Sequence, residues 1–304
     1  MLEVALDGIL SDTAQLFLEQ PSVQVIDDLT RNLAELHDRA VDLGILPAFK
    51  NVCGNHPISR IIRQDPYVRR AFEKPRGYAG DAVMLDYIYR PKSIDASTAV
   101  RIIHEATTGL PNAKSILWRR DYLAAQILDV IETRKVGRIL SVASGHMREL
   151  DEVRRRTSRR DVEIWALDQD RESLLEAVQA AGDFDLKPLN CSILALFKSN
   201  SVLTEKFDLI YSAGLSDYLS DKTLTALIHQ LHRHLNPGGI FTVGNFTPDS
   251  HGRGFMEGFM DWSLIYRDES SLASIVNEAV PGASFKTFRD PHGNVAYIEV
   301  VKSH

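Results

Sequence analysis

Residues 138–150 read Arg-Ile-Leu-Ser-Val-Ala-Ser-Gly-His-Met-Arg-Glu-Leu. An apolar run (Ile139, Leu140, Val142) stops at three small residues, Ala143, Ser144 and Gly145, and a helix-like segment follows with Glu149 and Asp151 in its early turns. Strand, tight turn and helix form the unit from which α/β folds build nucleotide sites. A small-residue turn lets a ligand approach the backbone, and a helix N-terminus offers N–H groups without partners. Ala143, Gly145 and Met147 stand where a clean dinucleotide fingerprint would carry glycines. Alanine costs little there if φ stays negative, and Met147 is expected just inside the helix, where no special φ is needed.

Downstream of this stretch, strand-like and helical runs alternate. The strands are expected at Ile139–Val142, Val162–Leu167, Phe207–Ser212 and Ile240–Gly244, and the helices at about Arg148–Arg156, Arg171–Ala181 and Lys222–Leu235. Such alternation implies parallel strands joined by right-handed crossovers. The end differs: Ala283–Arg289 and Val295–Val301 flank Asp-Pro-His-Gly-Asn and read as an antiparallel hairpin. Upstream, residues 1–112 read as helical. Apolar residues recur at helical spacing from Val23 to Leu46, prolines at 57, 66 and 75 punctuate short pieces, and a helix is expected from about Gly80 to Tyr89. The helix over Ala113–Thr133 opens the second domain, residues 113–304.

The second strand ends Trp165-Ala166-Leu167-Asp168-Gln169-Asp170, with Asp168 placed 23 residues after Gly145. An acid there can accept both ribose hydroxyls of an adenosine and would repel a 2′-phosphate; its plain alternative is a helix N-cap. Asn190, Cys191 and Ser192 form a polar turn after a further strand, either beside an adenine or an ordinary loop. Ser212, Ala213, Gly214, Leu215, Ser216, Asp217 and Tyr218 follow the strand Phe207–Ser212, and ligands of doubly wound sheets bind at such C-terminal ends. Leu235-Asn236-Pro237-Gly238-Gly239 reads as a turn feeding the next strand.

This order of segments resembles the class I S-adenosylmethionine (SAM) methyltransferases over residues 113–304. The resemblance implies a doubly wound, Rossmann-like α/β sheet of seven mostly parallel strands with an antiparallel C-terminal hairpin. It implies that Ala143, Ser144 and Gly145 pass the methionine part of SAM, that Asp168 and Gln169 hold the ribose, and that Asn190, Cys191 and Ser192 flank the adenine. Ser212, Ala213 and Gly214 would face the sulfonium. Ser141 replaces the acid usual on the first strand.

Lys74-Pro75-Arg76-Gly77-Tyr78-Ala79-Gly80-Asp81 is a second unusual segment, either a ligand-covering loop or a helix linker. With the aromatic and Met-bearing run from Asn245 to Arg267, which lines a substrate pocket or builds helix core, it is similar to a bacterial subgroup with a helical N-terminal lid. That subgroup includes fatty-acid methyl ester synthases and azetidine-2-carboxylate synthases. The resemblance implies that Tyr78 and Asp81 close over the methionine end of SAM.

Two chemistries fit such a scaffold. Methyl transfer to a small carboxylic or hydroxy acid is the first reading; a hydroxyl or amine acceptor needs a base, a carboxylate does not. Asp217, His146 and Tyr218 are the candidates at the reaction face, although His146 also reads as a helix-start residue holding a backbone group. In the alternative, the α-amine of SAM attacks its own chain and expels methylthioadenosine, with Asn245 or Asp217 orienting the amine. A SAM-binding protein without catalysis is the third reading.

Composition narrows the field. A net charge of −6 over 304 residues does not suggest a nucleic-acid partner, and two cysteines, Cys53 and Cys191, make neither a disulfide framework nor a zinc set. No apolar stretch is long enough to span a membrane, and the first residues lack a signal-peptide pattern, so a cytoplasmic setting is expected. His229, His232 and His234 do not share one helix face and are read as a solvated helix end, without metal; the arginines at 154–156 suit a helix C-terminus.

Overall fold

The computed structural model describes residues 1–198 and 202–303. It opens with α1 (Leu2–Glu19), α2 (Val23–Asp42), α3 (Leu46–Asn55), α4 (Ile58–Ile62), α5 (Pro66–Glu73), α6 (Ala82–Tyr89), α7 (Thr98–Thr108) and α8 (Pro111–Thr133). Strand and helix then alternate: β1 (Gly137–Val142), α9 (Glu149–Arg156), β2 (Val162–Asp168), α10 (Arg171–Ala181), β3 (Asp185–Asn190), β4 (Phe207–Ser212), α11 (Asp221–Arg233) and β5 (Leu235–Phe246). The chain ends with α12 (Arg253–Phe259), α13 (Glu269–Ala279), β6 (Ser284–Arg289) and β7 (Val295–Val301).

Two compact units result, one of residues 1–117 with 249–263, the other of residues 118–248 with 264–304. The boundary thus falls after Leu117 rather than at 112, and the segment around α12 groups with the helices. The reason is packing: α12 lies on α2 and α3, with Gly254 so close to the Leu33 carbonyl that an added Cβ would stand 2.4 Å from it. Phe255, Met256 and Phe259 are buried, so this aromatic run is core of the helical unit rather than an open pocket wall. Side-chain caps start several helices: Ser22 accepts from Val25 N–H, Asp65 from Tyr67 N–H and Asp81 from Met84 N–H.

The second unit holds a seven-stranded sheet ordered β3-β2-β1-β4-β5-β7-β6. β1 pairs in parallel with β2 and β4, β2 with β3, and β4 with β5; β7 runs antiparallel between β5 and β6. Alternate side chains of one strand therefore enter different cores. Leu140 and Val142 pack with Trp165, Phe207, Ile210, α11 and α13, whereas Ile139 packs with Ile164, Leu209 and the helices α8, α9 and α10. Both faces of the central strands are covered, which is why they read as near-continuous apolar runs.

The sequence Leu-Asn-Pro-Gly-Gly is not a turn ahead of β5. It lies within that strand as an irregularity, with the register against β4 shifting between Phe207 and Leu209. Gly238 has φ +73, and a Cβ on Gly239 would lie 2.9 Å from the Phe207 carbonyl oxygen, so glycine fits there for steric reasons. In the closing hairpin, Asp290 accepts N–H groups from His292, Asn294 and Val295, and Gly293 takes φ +78. Among the described residues, no helix is long and apolar enough to cross a membrane.

Candidate active site

The loop between β1 and α9 departs from its expected backbone. Ala143 has φ +54, Gly145 +55 and Met147 +49, so all three positions where the fingerprint would carry glycine are left-handed. The expectation that Ala143 keeps a negative φ and that Met147 sits inside a helix does not hold: α9 begins only at Glu149. A left-handed L-residue costs roughly 1–2 kcal/mol, so the turn stores strain at two non-glycine positions. Burial of the Met147 side chain in the α9–α10 core offsets part of this.

Asp168 fixes that loop. Its Oδ2 accepts the Gly145 N–H at 2.8 Å and its Oδ1 the Asp170 N–H at 2.9 Å, while Ser144 N–H bonds the Leu167 carbonyl at 3.1 Å. The helix N-cap role falls to Asp170, which accepts from Glu172 N–H, and not to Asp168. The Asn190 amide donates to the carbonyls of Asp168 and Gln169, both at 3.1 Å, and Cys191 N–H bonds the Asp168 carbonyl at 3.0 Å. Ser192 caps a short 3-10 turn over Ile193–Phe197. The ends of β1, β2 and β3 are thereby laced together, and Ser144 Oγ stays buried without a hydrogen-bond partner.

Ser212 Oγ donates to the Val142 carbonyl at 3.0 Å, bringing the end of β4 beside the loop. The Ala213 carbonyl accepts from Arg119 Nη1 at 2.5 Å, and the same guanidinium lies 3.5 Å from where a Gly214 Cβ would be. Arg119 is buried on α8, and neither its burial nor its target is legible from helical spacing. Glu149 is the second residue missed. It is buried, accepts the Tyr211 hydroxyl at 2.5 Å, and Ser141 donates in turn to that hydroxyl. A carboxylate thus lies beneath the loop although β1 itself carries serine. Burial raises the Glu149 carboxyl above its ordinary range, and burial together with Glu149 pushes the Tyr211 phenol well up.

Asp217 is buried at 4% exposure, and its Oδ1 accepts Phe246 N–H at 2.7 Å. Burial raises its carboxyl to about 6, opposed by the Phe246 N–H and by the positive charges of Arg119 and Arg267. Asn245 is not open to a ligand amine. Its amide nitrogen donates to the Phe246 and Ile265 carbonyls and its oxygen accepts from Arg267 Nη1 at 3.0 Å. Arg267, buried and given no role by sequence reasoning, also donates to the Ser216 and Leu219 carbonyls and to Asp221. His146 is buried, and Arg148 Nη2 lies 3.1 Å from its Nδ1 while also pairing with Glu176. A side chain, then, and not only a backbone group, positions this imidazole.

Tyr78 and Asp81 belong to the helical unit. Asp81 is fully buried; its Oδ1 caps α6 and meets Arg70 Nε at 2.8 Å, while its Oδ2 is buried without a hydrogen-bond partner. Cys191 is half-buried, and its thiol is raised by burial, which argues against a nucleophile. Among the described residues, no group of His, Cys, Asp and Glu could hold a metal ion.

Residues 139–239 match the family model described as a methyltransferase domain. A structure described as a possible exported protein from Bordetella parapertussis is similar along the whole chain, with a TM-score of 0.63, 17% identity and coverage of 100% of this chain and 97% of that one. Magnesium protoporphyrin IX methyltransferase from Synechocystis, solved with S-adenosylhomocysteine, matches at a TM-score of 0.50 and 14% identity over 79% of this chain and 100% of the other. No curated protein matches the sequence. The match to a methyltransferase domain falls within the seven-stranded sheet, and the likeness to the Synechocystis enzyme shows a Rossmann-like methyltransferase fold.

Proposed function

We propose that the protein is a SAM-dependent methyltransferase acting on a small molecule. The observation that carries this reading is the Asp168 carboxylate, fixed at the end of β2 by the Gly145 amide of the glycine-like loop. The residues suit the cofactor: Asp168 is an acid at the end of β2, the place from which a carboxylate reaches ribose hydroxyls, and Ser144 Oγ is a buried hydroxyl without a hydrogen-bond partner. Asn190, Cys191 and Ser192 edge the adenine position. Ala143–Gly145 and the backbone of Ser212–Gly214 line the methionine chain, with Arg119 Nη1 donating to the Ala213 carbonyl beside it.

SAM, when bound, supplies an electrophilic methyl group on a sulfonium. The chain contributes orientation: the fixed ends of β1, β2 and β4 hold the donor so that an acceptor can approach in line with the departing sulfur. Asp217, in the turn after β4, is the carboxylate that can take a proton from an acceptor that carries one. Incubation with SAM and a panel of small acceptors tests the reading. S-adenosylhomocysteine is expected only when an acceptor is present; methylthioadenosine formed from SAM alone would overturn it.

A further inference from the structure

The sheet carries a second concavity, at the strand ends opposite the loop that Asp168 closes. A groove of about 310 Å³ lies between α8 and the first residues of β4 and β5, within the second compact unit. Asp208, one of its lining residues, accepts the Arg138 N–H at 2.9 Å near the start of β1, which places the groove at the N-terminal ends of these strands. Its lining is part apolar (Val130, Leu209, Ile240) and part polar. The polar part is Tyr122, Gln126 and Asp129 along α8, with Glu299 from β7. The charges do not balance. Asp208 has Arg134 at 3.5 Å and Glu299 has Lys286 at 2.9 Å, whereas among the described residues the Asp129 carboxylate has no hydrogen bond or ion pair. A hydrogen-bond chain also leaves an acceptor without a donor. Tyr122 gives its proton to Glu299, so its oxygen accepts one Gln126 amide hydrogen at 3.0 Å, and Thr242 Oγ1 accepts the other at 3.0 Å. Gln126 Oε1 is buried and has no hydrogen-bond partner.

We propose that this groove binds a small aliphatic ammonium ion, at a site separate from the candidate active site. The three N–H donors of one charged nitrogen supply what the lining is short of, a counter-charge for Asp129 and a donor for Gln126 Oε1. Val130, Leu209 and Ile240 take the aliphatic body, in a cavity at the small end of the range that holds organic ligands. An anion would meet three carboxylates whose two neighbouring cations, Arg134 and Lys286, are already paired. A neutral alcohol would leave Asp129 without a counter-charge. The inference is independent of the methyltransferase reading, because none of these residues belongs to the β1, β2 and β4 ends that hold the proposed cofactor site.

The test is an NMR titration of the full chain at neutral pH, where butylamine is cationic, with butylamine, butyrate and 1-butanol as probes. Butylamine is expected to bind saturably and to shift the amide signals of Gly238 and Ile240, which line the groove. It should bind at least about fivefold more tightly than butyrate or 1-butanol. Asp129→Asn, at an exposed position, should weaken butylamine by about three- to fivefold. Ala125→Trp, on the exposed rim of the groove, should abolish its binding in a chain whose thermal unfolding shows that it is folded. Absence of saturable butylamine binding would overturn the inference. So would butyrate or 1-butanol binding as tightly as butylamine, or an affinity for butylamine unchanged in Asp129→Asn or in folded Ala125→Trp.

Discussion

The Asp168 carboxylate accepts the Gly145 amide proton at 2.8 Å, so the acid that ends β2 also closes the loop that follows β1. One side chain thereby sets the shape of the loop and places a carboxylate at the strand ends. Removing it disturbs both, which makes this pair the hinge of the functional account.

Strain in that loop gives a first prediction. Ala143 holds φ +54 without being glycine. Ala143→Gly should raise stability by about 1 kcal/mol, less the greater backbone entropy of the unfolded glycine chain. Thermal unfolding checks this; a loss of 1 kcal/mol or more would mean that the left-handed backbone is not strained.

Asp217 gives a second prediction, with a definite sign. Its carboxyl rises from an ordinary 3.8 to about 6 in the fold, so the native state holds a proton that the unfolded chain has released between those values. Stability therefore falls as pH rises from 3.8 toward 6 and stays lowered above, by up to about 3 kcal/mol at roughly 1.4 kcal/mol per unit. Asp217→Asn, which keeps an acceptor for Phe246 N–H, should be the more stable protein at pH 7, with the gain fading below pH 5. Chemical denaturation across pH measures it; a variant less stable at pH 7 than at pH 4, relative to wild type, would refute it.

Tyr211 and Glu149 give a third. Tyr211→Phe leaves the buried Glu149 carboxylate without its hydroxyl donor and should cost about 1–3 kcal/mol. Glu149→Gln retains an acceptor for Tyr211 and should cost less. Equal losses in the two variants would show that the bond does not govern this part of the core.

The two cysteines test the adenine edge proposed at Asn190–Ser192. Cys53 is fully buried and its thiol is pushed up to about 12 by burial, whereas Cys191 is half-buried next to Asp168. Iodoacetamide should alkylate Cys191 alone in the native protein, slowly, and S-adenosylhomocysteine should slow it further. Peptide mass analysis reads both sites; unprotected Cys191 would move the adenine elsewhere.

Much of this was legible from the residues. The apolar runs at β1, β2 and β4 define buried parallel strands because both faces are covered, and Asp168 is recognisable by its distance from the turn. The backbone of Ala143 and Met147 was not, since side-chain type says nothing of a strain imposed by tertiary packing. Asn245 looked like a ligand-binding amide, yet its bonds go to Arg267 and to two carbonyls, a use that depends on a segment twenty residues away. Arg119 and Glu149 escaped for a related reason: each sits on a helix where a charged residue reads as exposed, and only the assembled sheet shows it buried.

The most direct test of the central claim is calorimetric titration of SAM into the wild type and Asp168→Ala. The wild type should bind one SAM per chain, and Asp168→Ala should bind it at least about tenfold more weakly, the loss expected for hydrogen bonds to a charged acceptor. Affinity unchanged by the substitution in a protein that remains folded would contradict the site placed at Asp168 and the loop it closes.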